Sequence, residues 1–186
     1  MNIKLKKNLF MAVPLAVLAL SFISCGNDGP DMPEDPTPKK VKQVEVMYVY
    51  EVSEDMLKVA DIEASWADAD GKKQTAPLTQ TKARANVVYS TFPAKAAISM
   101  HMTAKDLTQI GQESFRISAH CVWYAYKATY TDGSTETITN PSSTQGSMTI
   151  SADRVAEYIA ERLNPRLEEI SYTINLTDNS TKVEIK

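Results

Sequence analysis

Residues 41–52 read Val-Lys-Gln-Val-Glu-Val-Met-Tyr-Val-Tyr-Glu-Val. In an extended chain Val44, Val46, Tyr48, Tyr50 and Val52 fall on one side, and Glu45, Met47, Val49 and Glu51 on the other. Period two with β-branched and aromatic residues predicts a strand with one face in a core. Ser53-Glu54-Asp55-Met56-Leu57 breaks the alternation. A Ser followed by two acids predicts the N-terminus of a single helical turn. From Val59 to Ala67 the alternation returns, with Ala60, Ile62, Ala64 and Trp66 opposite Asp61, Glu63 and Ser65. Asp68-Ala69-Asp70-Gly71 is a turn, because Gly71 accepts the positive φ that such turns need. Lys72 to Thr79 then pairs back as a hairpin. Asp68 and Asp70 lack the further ligands of a calcium loop, so turn chemistry explains them.

Further on, Asn86–Phe92 and Ala96–Thr103 are strands separated by Pro93. In the second, Ile98, Met100 and Met102 share a face. Phe115 to Thr131 is the most apolar stretch of this part of the chain. Phe115, Ile117, Ala119, Cys121 and Trp123 take one side; His120, Val122, Tyr124 and Tyr126 take the other. Seventeen residues exceed an ordinary strand, so a bend or bulge is expected near Ala125. Asp132-Gly133 turns the chain into Ser134–Thr139, and 140–146 is a polar loop. Ser151 is the expected cap of the one clear helix, which Asn164-Pro165 ends. Val155, Tyr158, Ile159, Arg162 and Leu163 line its inner side, with Ala156 and Ala160 widening the stripe. Glu168–Leu176 and Thr181–Ile185 close the chain as a hairpin with Ile170, Tyr172, Ile174 and Leu176 inward. The expected fold is mainly β: an antiparallel β-sandwich with one packed α-helix near the C-terminus, in a single domain over 41–186. The order strand, helical turn, Asp-Gly hairpin resembles small Bacteroidota lipoproteins with Ig-like or transthyretin-like sandwich domains.

Upstream of the domain the chain changes character. Lys4, Lys6 and Lys7 precede an uncharged apolar run from Leu9 to Ile23, the layout of a bacterial export signal. The run is shorter than the ~20 apolar residues that span a bilayer comfortably. It ends at Ser24-Cys25-Gly26, and a small residue before Cys at this place resembles the lipobox of bacterial lipoproteins. The resemblance implies residues 1–24 as a cleaved signal peptide and Cys25 as the acylated residue, anchored in the outer membrane of the cell envelope. Phe22 departs from the commoner Leu of that motif. Residues 26–38 hold four Pro and two Gly and carry Asp28, Asp31, Glu34 and Asp35. Such a stretch supports neither helix nor sheet, so 25–40 reads as lipidated Cys and acidic tether. The acidic run after Cys25 resembles the surface-export signal of Bacteroidota lipoproteins; a solvated linker is the alternative.

The whole chain has 20 basic and 23 acidic residues; without the three leader lysines 17 basic remain, a formal charge of −6. That balance excludes a nucleic-acid binder, which needs a basic face for phosphates. With Cys25 acylated, Cys121 has no disulfide partner. His101 and His120 are the only histidines, and no metal-ligand motif, phosphate loop or Gly-x-Ser-x-Gly elbow occurs. No catalytic residue, metal site or cofactor is assigned. Tyr124, Tyr126 and Tyr130, with His120, form a candidate binding face, which stacks on sugar rings or anchors a protein partner if open. A two-sided core strand is the competing explanation. The expected function is a lipid-anchored, non-catalytic binding or structural module for a glycan or envelope protein. A small glycan- or peptide-directed hydrolase and a pilus-type accessory subunit are the alternatives.

Overall fold

A computed structural model describes residues 38–138 and 146–186, and of Tyr124 and Tyr126 the backbone. The leader, Cys25 and the tether up to 37 lie outside the described residues, as does the polar loop at 139–145. The fold is mainly β and antiparallel. Strands β1 (Val41–Val52), β4 (Lys82–Tyr89), β7 (Ala119–Tyr130) and β8 (Thr135–Thr137) form a first sheet in the order β4-β1-β7-β8. Strands β2 (Ala60–Ala67), β3 (Lys73–Pro77), β5 (Ala94–Ala104), β10 (Ile170–Thr177) and β11 (Lys182–Ile185) form a second, in the order β11-β10-β5-β2-β3. Short strands β6 (Ser114–Ile117) and β9 (Met148–Ser151) pair with each other.

The alternation of β1 has its expected effect. Val44, Val46, Tyr48, Tyr50 and Val52 are all buried, and β1 lies between β4 and β7. The tyrosines join the two sheets through polar tips on apolar bodies. Tyr50 donates to the Ser65 carbonyl of β2 at 2.6 Å, and Tyr89 of β4 donates to the Ala67 carbonyl at 3.0 Å. The Tyr48 and Tyr89 hydroxyls meet at 2.7 Å. Burial pushes the Tyr48 and Tyr50 hydroxyls far above the ordinary phenol range, so they stay protonated. Ser65, expected on the open side, is buried at 3% exposure beside this contact.

The helical turn forms as expected: α1 (Glu54–Val59) is capped by Ser53, whose Oγ accepts from the Met56 N–H. That Oγ also accepts from the Ser118 N–H, and the Ser53 N–H donates to the Ser118 carbonyl. This pairing divides the expected long strand Phe115–Thr131 at Ser118 into β6 and β7. The expected bulge is present: Ala125 pairs with Val46 and Lys127 with Glu45, leaving Tyr126 as the extra residue. At the Asp68–Gly71 turn Gly71 has φ +75°, and the Asp68 carboxylate accepts from the Asp70 and Lys72 amides.

Other expectations change. The strand expected at Asn86–Phe92 is β4, four residues earlier, because Lys82–Ala85 pair with β1 despite weak β propensity. Ser151 ends β9 and makes no side-chain cap bond; a 3-10 turn (Ala152–Arg154), α2 (Val155–Tyr158), a π turn (Ile159–Leu163) and α3 (Asn164–Arg166) follow. Asn164-Pro165 therefore lies inside the helical run. Its buried stripe is Val155, Ile159, Leu163 and Leu167, spaced by four, while Ala156, Ala160 and Arg162 face water. A strict spacing of four drifts around an α-helix, and the wider π turn keeps it on one line. Ile170 and Tyr172, expected inward, lie opposite buried Ile98 and Ala96 but are 36% and 39% exposed, beyond Thr173, where the backbone bonds between β10 and the C-terminal residues end.

Asp178, Asn179 and Ser180, between β10 and β11, all have positive φ, up to 70° at Ser180. The left-handed region costs an ordinary L-residue ~1–2 kcal/mol. Ser180→Gly is expected to stabilise the domain by about 0.5–1 kcal/mol, net of the entropy glycine adds to the unfolded chain. Urea denaturation of wild type and variant checks the sign.

Candidate binding face

Alternation along β1, β4 and β7 sets the outward rows of the first sheet. Glu51 pairs in register with Lys82 and His120, Val49 with Arg84 and Val122, Met47 with Asn86 and Tyr124, and Glu45 with Val88 and Lys127. Charged rows lie at the two ends, and the two rows between them hold Val49, Val122 and Met47 beside exposed Arg84 and Asn86. Glu51 forms an ion pair with Lys82. The hydrogen bond from Lys82 holds the Glu51 carboxyl below the usual carboxylate range, with smaller help from the charges of His120 and Arg84. Lys127 and Glu45 approach to 2.6 Å. Between them Val49 and Val122 are buried and Met47 is half-buried, and Val88, in the Glu45–Lys127 row, is 46% exposed. The arrangement is a small apolar patch whose accessible members are Met47 and Val88, flanked by the two ion pairs and by Arg84 and Asn86. It can bury apolar surface of a partner and orient it by charge.

The sequence-derived face is only partly one surface. His120 is half-buried on the outward side, and position 124 pairs with Met47 in the same set of rows. Tyr126 is the extra residue of the bulge. Tyr130 is separated from the others by that bulge, which reverses the alternation: Ala128 pairs with inward Val44, and Tyr130 is 3% exposed. Its hydroxyl donates to Glu136, and the Lys39 ammonium lies 4.4 Å from its ring centroid. The bond to Glu136, then burial, push the Tyr130 hydroxyl up to about 12. Tyr130, Glu136, Ile138, Lys39 and Val183 line an open groove of about 710 Å³. Sequence reasoning missed this groove. The Asp132-Gly133 turn carried the signal, since its hairpin register sets Glu136 opposite Ala128, diagonal to Tyr130.

His101 is exposed on β5 opposite Glu63, and His120 is on β7 opposite Glu51, so the two histidines sit in different sheets. Among the described residues no group of three or more His, Cys, Asp or Glu side chains is placed to hold a metal ion. Cys121 is buried, and burial pushes its thiol up to about 12, so it carries no thiolate at neutral pH. Among the described residues no helix is long and apolar enough to cross a membrane. Compared with protein-family models, curated proteins and solved structures, the chain matches none.

Proposed function

We propose that this is a lipid-anchored protein of the cell envelope, held in the outer membrane through Cys25, whose domain is a non-catalytic binding module. The observation that carries the anchor is Ser24-Cys25 closing an apolar run that begins after Lys4, Lys6 and Lys7. Acyl chains contribute about 0.8 kcal/mol per buried CH₂, so several chains hold such a protein durably. The binding reading is supported by the accessible apolar residues Met47 and Val88, flanked by the Glu51–Lys82 and Glu45–Lys127 ion pairs. Its ligand class is a glycan or an envelope protein. The protonated Cys121 thiol and the separated histidines favour binding over nucleophilic chemistry.

The test is cell fractionation and intact mass of wild type and Cys25→Ala, with protease shaving of whole cells. Wild type is expected in the outer membrane with acyl mass, and Cys25→Ala is expected unacylated and released. Equal mass and equal fractionation would sink the anchor. Retention on glycan arrays or envelope extracts is expected to fall at least about tenfold in Met47→Glu/Val88→Glu, because charge then enters the apolar patch. Unchanged retention would move the binding surface elsewhere.

A further inference from the structure

Strand β4 ends the first sheet, and the register of the sheet tells which of its backbone groups face the open edge. The Val52 N–H donates to the Thr81 carbonyl at 2.9 Å, one step beyond the Glu51–Lys82 pair. Hydrogen-bonded and non-bonded pairs alternate along an antiparallel ladder. Ala83, Ala85, Val87 and Tyr89 therefore direct N–H and C=O toward β1, and Lys82, Arg84, Asn86 and Val88 direct theirs to the open edge. The other ladder of β1 agrees: the Ser53 N–H donates to the Ser118 carbonyl, which puts the groups of Glu51, Val49 and Met47 on the β7 side. The remaining terminal strands offer shorter edges. β8 has three residues, β11 has four, and β3 has five that end at Pro77. β4 has eight in unbroken register. An open edge of this kind is where a further strand pairs.

We infer that β4 pairs antiparallel with β4 of a second copy of this chain, about a two-fold axis at Asn86, which joins two first sheets into one. The side chains select both the occupant and the register. On the outer row Arg84 lies opposite the partner's Val88, and Asn86 opposite the partner's Asn86, so no two basic residues oppose each other. The partner's Glu45 comes next in that row, because Glu45 pairs with Val88 within one sheet. It lies two strand spacings from Arg84, about 10 Å, a gap that an Arg and a Glu side chain span together. On the inner row half-buried Ala85 meets the partner's Val87, and half-buried Ala83 meets the partner's Tyr89, small against large. A slip of two residues one way brings Arg84 diagonal to the partner's Arg84, and a further slip of two sets the arginines opposite. A slip the other way leaves fewer backbone pairs. Basic residues on an edge ordinarily deter pairing, but here the row gives each Arg84 a carboxylate to meet. The pairing rests neither on the anchor nor on the ligand proposed above.

Oxidative cross-linking tests this on the full chain carrying Cys25→Ala. Cys121 is buried, so an introduced thiol is the reactive one. Backbone-paired residues of antiparallel strands stand about 5.5 Å apart at Cα, inside the disulfide range. Asn86→Cys is expected to form a covalent dimer at least about tenfold faster than Thr135→Cys, because only the first brings two thiols within reach; Thr135 is an exposed site on β8. Arg84→Cys and Val88→Cys are each expected to stay monomeric alone and to cross-link when mixed. Arg84→Glu is expected to raise the dimer dissociation constant at least about tenfold in sedimentation equilibrium, since it sets like charges in one row. Asn86→Cys that dimerises no faster than Thr135→Cys, or that cross-links only to a different protein in envelope extracts, overturns the pairing of two copies. Arg84→Cys and Val88→Cys that fail to cross-link when mixed, or Arg84→Glu that associates as wild type does, overturns the register.

Discussion

Phe115→Ala is expected to destabilise the domain by about 3–5 kcal/mol, the range for removing a fully buried aromatic side chain. Phe115 has 0% exposure and belongs to the core shared by the two sheets. It sits on β6, a strand of four residues whose ladder partner is β9 alone. So short a strand has few backbone bonds to hold it in place. Its other attachments include the contact with α1, the bond from the Arg116 N–H to the Asp55 carboxylate at 2.8 Å and the bond from Arg116 Nε to Ser147 Oγ at 2.9 Å. The burial of the Phe115 ring is therefore much of what holds β6 against the core, and its loss removes that attachment. Small domains are stable by only about 5–15 kcal/mol in total, so the variant should unfold at much lower urea. Tyr172→Ala is the control. Tyr172 is 39% exposed and meets Trp123 at 4.8 Å between ring centroids. Its loss should cost only about 1 kcal/mol. Equal costs at the two sites would refute the assignment of Phe115 to the core.

Asn164→Ala should cost about 2–4 kcal/mol, from two backbone groups left without partners. The Asn164 side chain behaves as a piece of strand. Its Oδ1 accepts from the Met102 N–H at 2.9 Å, and its Nδ2 donates to the Met102 carbonyl at 2.9 Å. β10 pairs with β5 only over Ala94–Ile98, so the β5 edge beyond that point needs other partners. Asn164 supplies them at Met102, and the Leu167 carbonyl accepts from the Met100 N–H at 3.0 Å. The helical run is thereby docked along a sheet edge. Asn164→Asp separates the two bonds, because a carboxylate accepts from the N–H and cannot donate to the carbonyl. It should be destabilised as well. Denaturant midpoints for the three proteins check this, and an Asp variant as stable as wild type would exclude the paired geometry.

Much of the fold was legible along the chain, because the signals involved are local. The alternation of Val44 to Val52, the Ser53 cap and the Asp-Gly turns depend on residues a few places apart. The i, i+4 stripe of Val155, Ile159 and Leu163 did too, although the π turn that keeps it straight carried no sequence mark. The candidate face was less legible. His120, Tyr124, Tyr126 and Tyr130 share even numbers, and a regular strand would put them on one side. One extra residue at Tyr126 reverses the sides beyond it, so Tyr130 turns inward to Glu136. The Met47–Val88 patch was equally hidden. Its members come from separate strands, and only the register of β1 with β4 and β7 brings them together.

By itself, then, the sequence determined the β class, the first strand with its helical turn and hairpin, and the Asp-Gly turns. These follow from backbone preference and from the composition of contiguous stretches. Tertiary structure decided which strands are neighbours, where the chain enters the first sheet after Ser118, and that Asn164 completes a sheet edge instead of ending a helix. It also decided which outward residues form one surface. The physical reason is that sheet neighbours are chosen by burying faces and pairing backbone groups between segments far apart in the chain, and neither requirement leaves a mark on any one segment.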